Sequence, residues 1–498
     1  MSNIPRTIVV GGGLAGLSTA HTVLERGGSV LLLDKKPSLG GNSVKASSGI
    51  NGAGTEAQRA LQVEDTAEMF YKDTASSAGP DLARPELITA LTANSASAIA
   101  WLTDTFNVDL SVVSRLGGHT VSRTHRDKSG APGWAITSAL MKKLTALADE
   151  PDPRVEIAKS ARVVRLLEES AVVVGVEYEV GGSRVEARGN VVLATGGYAA
   201  DSSPDGLLAQ HRPDLLALAT TNGDHATGDG LRLALALAAP AAVCDLTQVQ
   251  VHPTGFVDPA HPDAKTKFLA AEALRGAGGL LLDAHGARFV REVERRDVVT
   301  EAMQTVEGAG RGPVRLVLGE RAVEEVKKHC DFYVSKNLMK RYSNAAAFAE
   351  DTGIPLDNIL STFASYGQDG DRFGTGTFRL LFLSLSHDIL HSYTILDSSR
   401  CMLTTFLAVS TTKSYTYTEA LCVAIITPVV HYTMGGLTID PSARVTHTRD
   451  GKLVPIPGLW AAGEVIGGVH GRNRLAGSSL LEAVVFGRIA GTGAVGAP

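Results

Sequence analysis

The pattern of apolar and polar positions is clearest near the start of the chain, where two apolar runs flank a helical pattern. The runs cover residues 7–10 and 30–33, and the positions between them have helical periodicity through residue 24. Three glycines in G-x-G-x-x-G spacing separate the first run from the helical pattern: Gly11, Gly13 and Gly16. These features predict a complete unit of strand, helix and strand.

The residue types in this unit suit a ligand that carries phosphate. Gly11 would make the tight turn, Gly13 would let a pyrophosphate approach the backbone, and Gly16 would let helix and sheet pack closely. Asp34 ends the second run and would accept hydrogen bonds from a ribose, while the helix N-terminus faces the phosphate charge. The unit predicts dinucleotide binding rather than a structural glycine turn, and it does not distinguish FAD from a nicotinamide.

Loop, helical and strand patterns follow one another through the first half of the chain. Residues 35–54 are rich in Gly, Ser and Asn, and we expect a loop that either lies against a flat ring or a pyrophosphate or is simply solvated. Residues 59–107 are predicted to be mostly helical, and 117–133 to be a polar, basic loop. From 155 to 193 the pattern is one of short strands, and the last of them runs into a glycine turn.

The remaining pattern predicts a discontinuous cofactor-binding domain. Residues 240–375 have more charge and longer spacing between apolar runs, which indicates an inserted domain. The segment 459–491 then repeats the opening order of strand, glycine turn and helix. We expect residues 1–239 and 422–498 to form the cofactor-binding domain and residues 240–377 to form the inserted domain.

Composition narrows the classes of function. A formal net charge of -5 and a pI near 6.3 give no electrostatic footprint for nucleic acid or for an anionic membrane surface. The cysteines are widely spaced and favour a reducing compartment: Cys244, Cys330, Cys401 and Cys422. The first strand begins too early for a signal peptide, and no apolar run reaches the roughly 18 residues of a membrane helix. We therefore expect a cytoplasmic protein.

One stretch departs from the rest of the chain. Residues 378–421 contain no Gly and no Pro, although the chain has 53 and 20 of them, and Ser and Thr are abundant. Neither a helical nor a strand period persists in this stretch. We interpret it as an anomalous insertion of translated non-coding sequence, with a lineage-specific insertion as the alternative.

Further motifs accompany the opening unit along the whole chain. They are GGNSVKASSGIN at 40–51, ATGGY at 194–198, HPT at 252–254, EALRG at 272–276, RRD at 295–297, HYTMGG at 431–436, AAGE at 461–464 and HGRNRLAG at 470–477. In these motifs the chain resembles the flavoprotein family of fumarate reductases and succinate dehydrogenases, and more closely the soluble fungal fumarate reductases. The resemblance covers nearly all of the chain except roughly residues 376–421.

The resemblance implies an α/β fold in which a discontinuous, Rossmann-like domain binds FAD and an inserted α+β capping domain covers the substrate. It implies that ten residues contact the cofactor: Gly11, Gly13, Gly16, Asp34, Asn42, Ser43, Asp229, Glu464, Ser479 and Leu480. Asn42 stands where succinate dehydrogenases have a histidine bonded covalently to the flavin. We therefore expect non-covalent FAD, which favours reduction of fumarate.

The resemblance also assigns the chemistry. Arg474, His431 and His252 match the positions that hold the substrate, a small dianion that needs donors at both carboxylates. Hydride passes from flavin N5 to one olefinic carbon, and Arg296 donates a proton to the other. Alternative interpretations are a satisfied turn for a lone histidine and a surface charge for Arg474.

A relay would resupply the proton of Arg296, because a guanidinium ordinarily keeps its proton, with a pKa above about 12. The resemblance assigns this relay to Glu272 and Arg275, which lie at i and i+3 on one helix face. The alternative for these three residues is a structural network of ion pairs.

We predict a soluble, FAD-dependent fumarate reductase that acts on a small dicarboxylate. One alternative is a related flavoprotein with another substrate, such as an L-aspartate oxidase or an enoate reductase. The other is an FAD-binding protein that residues 378–421 inactivate. The sequence leaves the electron donor open between reduced free flavin and a nicotinamide that acts through a partner.

Overall fold

The structure is a computed structural model that describes residues 6–128, 131–150, 154–366 and 415–496. Its strands are β1 (Arg6–Val10), β2 (Ser29–Asp34), β3 (Ile50–Asn51), β4 (Val112–Ser114), β5 (Thr124–Arg126), β6 (Val155–Lys159), β7 (Arg162–Glu169), β8 (Val172–Val180), β9 (Ser183–Arg188), β10 (Asn190–Leu193), β11 (Ala219–Thr220), β12 (Val243–Cys244), β13 (Val249–Phe256), β14 (Leu280–Leu282), β15 (Val314–Leu318), β16 (Lys340–Tyr342), β17 (Leu421–Thr433), β18 (Gly436–Leu437), β19 (Arg444–Arg449) and β20 (Lys452–Ala461).

The described residues also form α-helices. They are α1 (Leu14–Glu25), α2 (Glu56–Ala60), α3 (Ala67–Ala78), α4 (Pro85–Ala93), α5 (Ser95–Phe106), α6 (Pro132–Ala148), α7 (Leu207–His211), α8 (Asp229–Leu235), α9 (Glu272–Gly276), α10 (Arg296–Gly308), α11 (Glu320–Glu325), α12 (Lys327–Ser335), α13 (Ala345–Thr352), α14 (Leu356–Ser365) and α15 (Ser478–Gly496).

The first sheet carries the predicted opening unit. Its strands lie in the order β19-β20-β10-β1-β2-β6, and those from β20 to β6 are parallel. At its centre Val9 pairs with Val192 on one side and Leu32 on the other. These three residues are fully buried, as expected for a parallel sheet with both faces covered. The predicted unit of strand, helix and strand is confirmed as β1, α1 and β2.

The second sheet is built around β17. This strand pairs with β11, β13, β15 and β16, and β14 pairs with β15. Cys422 and Ile426 at its start belong to a second apolar core that also contains Val299 of α10. Val430, near its end, belongs to the core of the first sheet. One continuous strand therefore connects two cores.

Most of the other predicted helices and strands are present in the structure. The helical prediction for residues 59–107 is confirmed by α3, α4 and α5, and the short strands predicted for residues 155–193 are confirmed by β6 to β10. The segment 117–133, predicted to be a loop, contains the short strand β5, which pairs with β3 and β4. In the described residues, no helix combines the length and the apolar character needed to cross a membrane.

The end of the anomalous segment takes part in the fold. Tyr415 is buried, and its hydroxyl lies 2.7 Å from the carbonyl oxygen of Gly278 and 3.0 Å from that of Val317. Its ring packs against Phe363 and Tyr366. The rest of the segment, residues 378–414, lies outside the described residues, so its interpretation stays a prediction.

Candidate active site

A cavity of about 650 Å³ opens at the carboxyl ends of β1 and β2. Nine of the ten predicted cofactor contacts line it: Gly11, Gly13, Asp34, Asn42, Ser43, Asp229, Glu464, Ser479 and Leu480. Gly16 is absent from the lining. Among the predicted catalytic residues Arg296, His431 and Arg474 line the cavity, whereas Glu272, Arg275 and His252 lie outside the lining and pack within the same buried group of charges.

The glycine turn between β1 and α1 leaves room for a ligand at one position. A Cβ on Gly11 would lie 2.3 Å from the carbonyl oxygen of Ala194, and a Cβ on Gly16 would lie 1.8 Å from that of Gly11. Both positions therefore require glycine for packing of the protein itself. A Cβ on Gly13 would meet nothing closer than Ser43 Oγ at 3.8 Å, so the space before the N-terminus of α1 is open to phosphate.

Polar groups around this turn fit a dinucleotide. Asp34 accepts hydrogen bonds from the backbone N–H groups of Gly12 and Lys36, both at 2.8 Å, and is one of the residues that line the cavity. Two buried polar atoms in the lining, Thr195 Oγ1 and His225 Nε2, have no hydrogen-bond partner within the described chain. Buried polar atoms of this kind are normally satisfied, so a polar ligand in the cavity would complete them.

The loop that carries Asn42 is tied to a second loop across the cavity. The Asn42 side chain donates to Asn222 Oδ1 at 2.7 Å and accepts from the backbone N–H of Gly223 at 3.0 Å. Ser43 Oγ accepts from the N–H of Leu14 at 3.2 Å, which fixes the loop against α1. Both functional ends of the Asn42 amide are thus engaged by the protein.

Two acidic residues of the lining differ in their surroundings. Burial would raise the pKa of the Asp229 carboxyl group, but the pairing with Lys35 at 2.8 Å and the hydrogen bond from Thr227 at 2.7 Å together outweigh burial and lower the pKa. Glu464 accepts hydrogen bonds from the N–H and the hydroxyl of Thr433. Burial nevertheless raises the pKa of Glu464 to about 7, because no cation is paired with its carboxylate in the described part of the chain.

A buried pair of arginines forms the charged end of the cavity. Arg296, at the start of α10, donates from Nε and Nη2 to Glu272 Oε2 at 2.9 and 2.8 Å. Its Nη1 donates to Gln250 Oε1 at 2.8 Å, and Arg474 Nη2 donates to the same oxygen at 3.0 Å. One glutamine oxygen therefore serves two guanidinium groups and holds them on the same side of the cavity.

Glu272 is the carboxylate within this arginine group. Burial alone would raise its pKa, but the charges of Arg296 and Arg275 outweigh burial and lower the pKa to about 2. Arg275 Nη2 lies 3.8 Å from Glu272 Oε2, and Arg275 Nη1 donates to the carbonyl oxygen of Glu292. Glu272 is therefore ionised at neutral pH and lies between two arginines, as the predicted relay requires.

The two candidate histidines are neutral. Burial, followed by the charge of Arg296, lowers the pKa of His252 and that of His431 well below the usual value. His431 Nδ1 is hydrogen-bonded to Thr221 Oγ1 at 2.8 Å, and His252 Nδ1 accepts from the N–H of Thr254 at 3.2 Å. The two rings meet edge to face with centroids 5.1 Å apart, so His252 supports His431 from behind.

Arg474 lies in a pocket made by Tyr432. Its guanidinium carbon lies 4.4 Å from the centroid of the Tyr432 ring, and the Tyr432 hydroxyl donates to Glu482. Burial, followed by the charge of Arg296, lowers the pKa of Arg474 to about 10, which leaves it charged at neutral pH. Arg474 Nε is buried without a hydrogen-bond partner in the described chain. The end of the cavity is thus suited to bind an anion.

The sequence did not reveal several residues that shape this site: Gln250, Thr221, Asn222 and Tyr432. Gln250 stands two residues before His252 on β13, and alternate residues of a strand face the same side. This position relative to His252 was the one feature of the sequence that could have indicated a place in the site. Its partners Asn473 and Arg474 are more than 220 residues away along the chain.

Comparison with known proteins is consistent with this geometry. The model of the FAD-binding domain family matches residues 6–480. A fumarate reductase of Schizosaccharomyces pombe is 43% identical, covering 99% of this chain and 90% of that protein. Fumarate reductase 1 of Saccharomyces cerevisiae is 39% identical and is covered over 97% of both chains.

A solved structure agrees with these relatives. The open conformation of a flavocytochrome c3 fumarate reductase superposes with a TM-score of 0.71 at 28% identity, covering 99% of this chain and 78% of that one. The predicted α/β fold with an FAD-binding domain is confirmed. The chain belongs to the FAD-binding flavoprotein family that includes the fungal fumarate reductases.

Proposed function

We propose that this protein is an FAD-dependent enzyme that reduces fumarate to succinate. The observation that carries the proposal is the pair of buried guanidinium groups, Arg296 and Arg474, at the end of a cavity whose other part contains the dinucleotide turn. Together with Arg275 and the ionised Glu272 these arginines carry a net charge of +2, three positive groups less one negative group, which a small dianion neutralises. A neutral His431 beside it adds an N–H donor without adding charge.

The proposed substrate contacts follow from the donors that face the cavity. Arg474 is anchored by Gln250 and stacked on Tyr432, so its remaining N–H groups present a fixed fork to one carboxylate. We assign the Thr221 hydroxyl as the donor to His431 Nδ1, so that His431 Nε2 carries the proton and donates to the same end of the substrate. Fixing the substrate in this way can remove about 7–11 kcal/mol of the barrier.

The proposed proton path uses residues that are already in contact. When bound, FAD supplies the hydride for one olefinic carbon of the substrate. Arg296 gives a guanidinium proton to the other carbon. Glu272 accepts a proton from Arg275 and passes it to Arg296, which restores the charge of Arg296, and Arg275 then takes up a proton from solvent. The 2.8 Å hydrogen bond between Arg296 and Glu272 supports this path, whereas Arg275 Nη2, 3.8 Å from Glu272 Oε2, must move closer to transfer its proton.

We also propose that FAD is held without a covalent bond. Asn42 occupies the position of the histidine that is bonded to flavin in succinate dehydrogenases, and an amide cannot form that bond. Acid precipitation of the purified protein should release all of its flavin into the supernatant. Flavin that stays with the pellet would contradict non-covalent binding.

Three further assignments are part of the proposal. The cofactor domain comprises residues 1–239 and 422–498, and the cap comprises 240–377; the separate apolar cores support two domains, although Val249 packs in the first core and Cys422 in the second, so the cores do not follow these bounds residue by residue. The electron donor is a reduced flavin or a nicotinamide-linked partner. The compartment is the cytoplasm, which the free thiols of the described cysteines support: Cys244, Cys330 and Cys422.

The test compares fumarate under anaerobic conditions with L-aspartate in the presence of oxygen. We expect the purified, FAD-loaded chain to oxidise a reduced viologen anaerobically when fumarate is added, and to consume no oxygen with L-aspartate. Oxygen consumption with L-aspartate and no response to fumarate would make the protein an L-aspartate oxidase. A flavin spectrum with no response to either compound would make it a flavin-binding protein without this activity.

A further inference from the structure

The carboxylate of Glu272 is held from two sides by different parts of the chain. Its Oε2 accepts both hydrogen bonds from Arg296, while its Oε1 accepts one from the backbone N–H of Gly117 at 3.0 Å. Glu272 begins α9, whose Leu274 is buried in the second core. Gly117 lies before β5 in the cofactor domain, so this hydrogen bond crosses from the cofactor domain to the cap.

The loop that carries Gly117 is rigidly fixed to the cofactor domain. Thr120 donates from its N–H and its hydroxyl to Asp73 Oδ2 on α3, both at 2.8 Å. His119 Nε2 is hydrogen-bonded to the carbonyl oxygen of Ala476 at 3.0 Å, and Arg123 Nη1 lies 3.3 Å from His119 Nδ1. Because Nε2 must donate to a carbonyl oxygen, Nδ1 is free to accept from Arg123, and the ring has one neutral tautomer.

We infer that the Gly117 N–H is a positioning group for the proton relay and makes the relay depend on contact between the cap and the cofactor domain. This inference rests on the proposed reduction of fumarate. With Oε1 held by Gly117, the carboxylate plane is fixed and Oε2 alone faces Arg296 and Arg275. Withdrawal of the cap would remove this hydrogen bond and leave the carboxylate free to turn away from its arginines.

A side chain at this position would press on Glu272. A Cβ on residue 117 would lie 3.0 Å from Glu272 Oε1 and 3.5 Å from the carbonyl oxygens of Val293 and Glu294. A contact of 3.0 Å is tight for carbon and oxygen, so the carboxylate would have to shift by a few tenths of an ångström. On the same helix as Glu272, a Cβ on Gly276 would meet nothing within 4 Å, which makes that position a matched control.

The test is Gly117→Ala beside Gly276→Ala in the FAD-loaded enzyme. For Gly117→Ala we expect kcat with fumarate to fall about tenfold or more, because small misplacements of a catalytic group are costly. The KM for fumarate and the FAD content should stay near their wild-type values, and the solvent deuterium isotope effect on kcat should increase. Gly276→Ala should behave as wild type in all four measurements.

A second variant provides a test of the inference that does not depend on correct folding of Gly117→Ala. Thr120→Val keeps Gly117 and removes the hydroxyl that donates to Asp73, so the loop loosens without a new contact at Glu272. It should lower kcat in the same way by a smaller factor. Wild-type kcat and isotope effect in both variants would overturn the inference alone. Absence of fumarate turnover in the wild-type enzyme would overturn the proposed function together with it.

Discussion

At the scale of single residues, Gln250 organises the charged end of the site. Its amide oxygen accepts from both Arg296 and Arg474, and its amide nitrogen donates to Asn473 and to the carbonyl oxygen of Arg474. Two like charges held this close repel each other in a buried site. A shared acceptor between the two guanidinium groups offsets part of that repulsion and fixes the orientation of both groups.

Replacement of this glutamine therefore has a specific expected effect. Gln250→Met keeps the approximate volume and removes the shared acceptor. Each hydrogen bond to a charged group contributes about 1.5–3 kcal/mol, so we expect kcat/KM for fumarate to fall about ten- to a hundredfold. Gln248→Met, two residues earlier and with a long 3.4 Å side-chain hydrogen bond, is the control. Equal kcat/KM values for the two variants would contradict this role.

Residue types alone could not have identified Gln250. The resemblance identifies the arginines and the histidine in the motifs at 295–297, 431–436 and 470–477, whereas a glutamine in a strand has no distinctive chemistry. Its role depends on pairing between β13 and a loop more than 220 residues away. The roles of the predicted site residues remain predictions, although the structure places them in or directly behind one cavity.

At the scale of elements, the glycine turn before α1 separates packing from ligand binding. Gly11 and Gly16 are required by contacts within the protein, because a Cβ at either would overlap a backbone oxygen. Gly13 has no such neighbour and faces the cavity. Substitution of Gly11 or Gly16 should therefore unfold the unit of strand, helix and strand. Substitution of Gly13 should affect only the binding of the cofactor.

The prediction concerns Gly13→Val. We expect the folded content by circular dichroism to match wild type and the affinity for FAD to fall at least about a hundredfold, because the side chain would occupy the space before α1. Gly308→Ala, where a Cβ meets nothing within 4 Å, serves as the control for the glycine substitution itself. Normal FAD content in Gly13→Val would show that phosphate does not approach this turn.

Elements whose residue pattern is distinctive within one stretch of sequence could be predicted. Elements that depend on partners elsewhere in the chain could not. The unit of β1, α1 and β2 follows from apolar runs and glycine spacing within one stretch. Strand β5 consists of Thr124, His125 and Arg126, which have no apolar alternation, and yet the first two are fully buried. Their side chains are satisfied by Asn51 and Thr55 from other elements, and no local pattern can show such partners.

At the scale of the whole molecule, β17 contributes residues to three apolar cores. The composition placed a boundary at residues 421 and 422, where Ser- and Thr-rich sequence gives way to an apolar run. The structure packs Tyr415 and Leu421, on the near side of that boundary, in a third core with Phe363. Composition alone could not locate where the fold resumes, because the aromatic residue that packs with Tyr415 lies in a distant part of the chain.

The whole molecule should lose stability in mild acid. Burial is the main cause that lowers the pKa of four histidines from 6.5 to about 4: His21, His119, His125 and His329. The unfolded chain binds protons at these residues below about pH 6.5 and the native chain does not, so stability falls as the pH is lowered through this range. Glu464 acts in the opposite direction, because its native pKa is about 7 and it takes up a proton first in the native state.

The net effect can be measured by urea unfolding of the FAD-loaded protein. Between pH 7 and pH 5.5 each of these four histidines costs roughly 1 kcal/mol, and Glu464 returns a similar or slightly larger amount. His252 and His431, which burial also keeps neutral, add to the loss, so we expect a net loss on the order of 5 kcal/mol. Between pH 7 and pH 8 the change should be below about 1 kcal/mol. A free energy of unfolding that rises toward pH 5.5 would show that these histidines are not held neutral.

The proposed function requires that Arg296 gives a proton to a dicarboxylate held beside it. Anaerobic, fumarate-dependent oxidation of a reduced viologen should be measured for wild type and for Arg296→Gln, each with its FAD content determined. We expect turnover in wild type and a loss of about 10³-fold in Arg296→Gln at equal FAD content. Turnover by Arg296→Gln at the wild-type rate would contradict proton donation by Arg296.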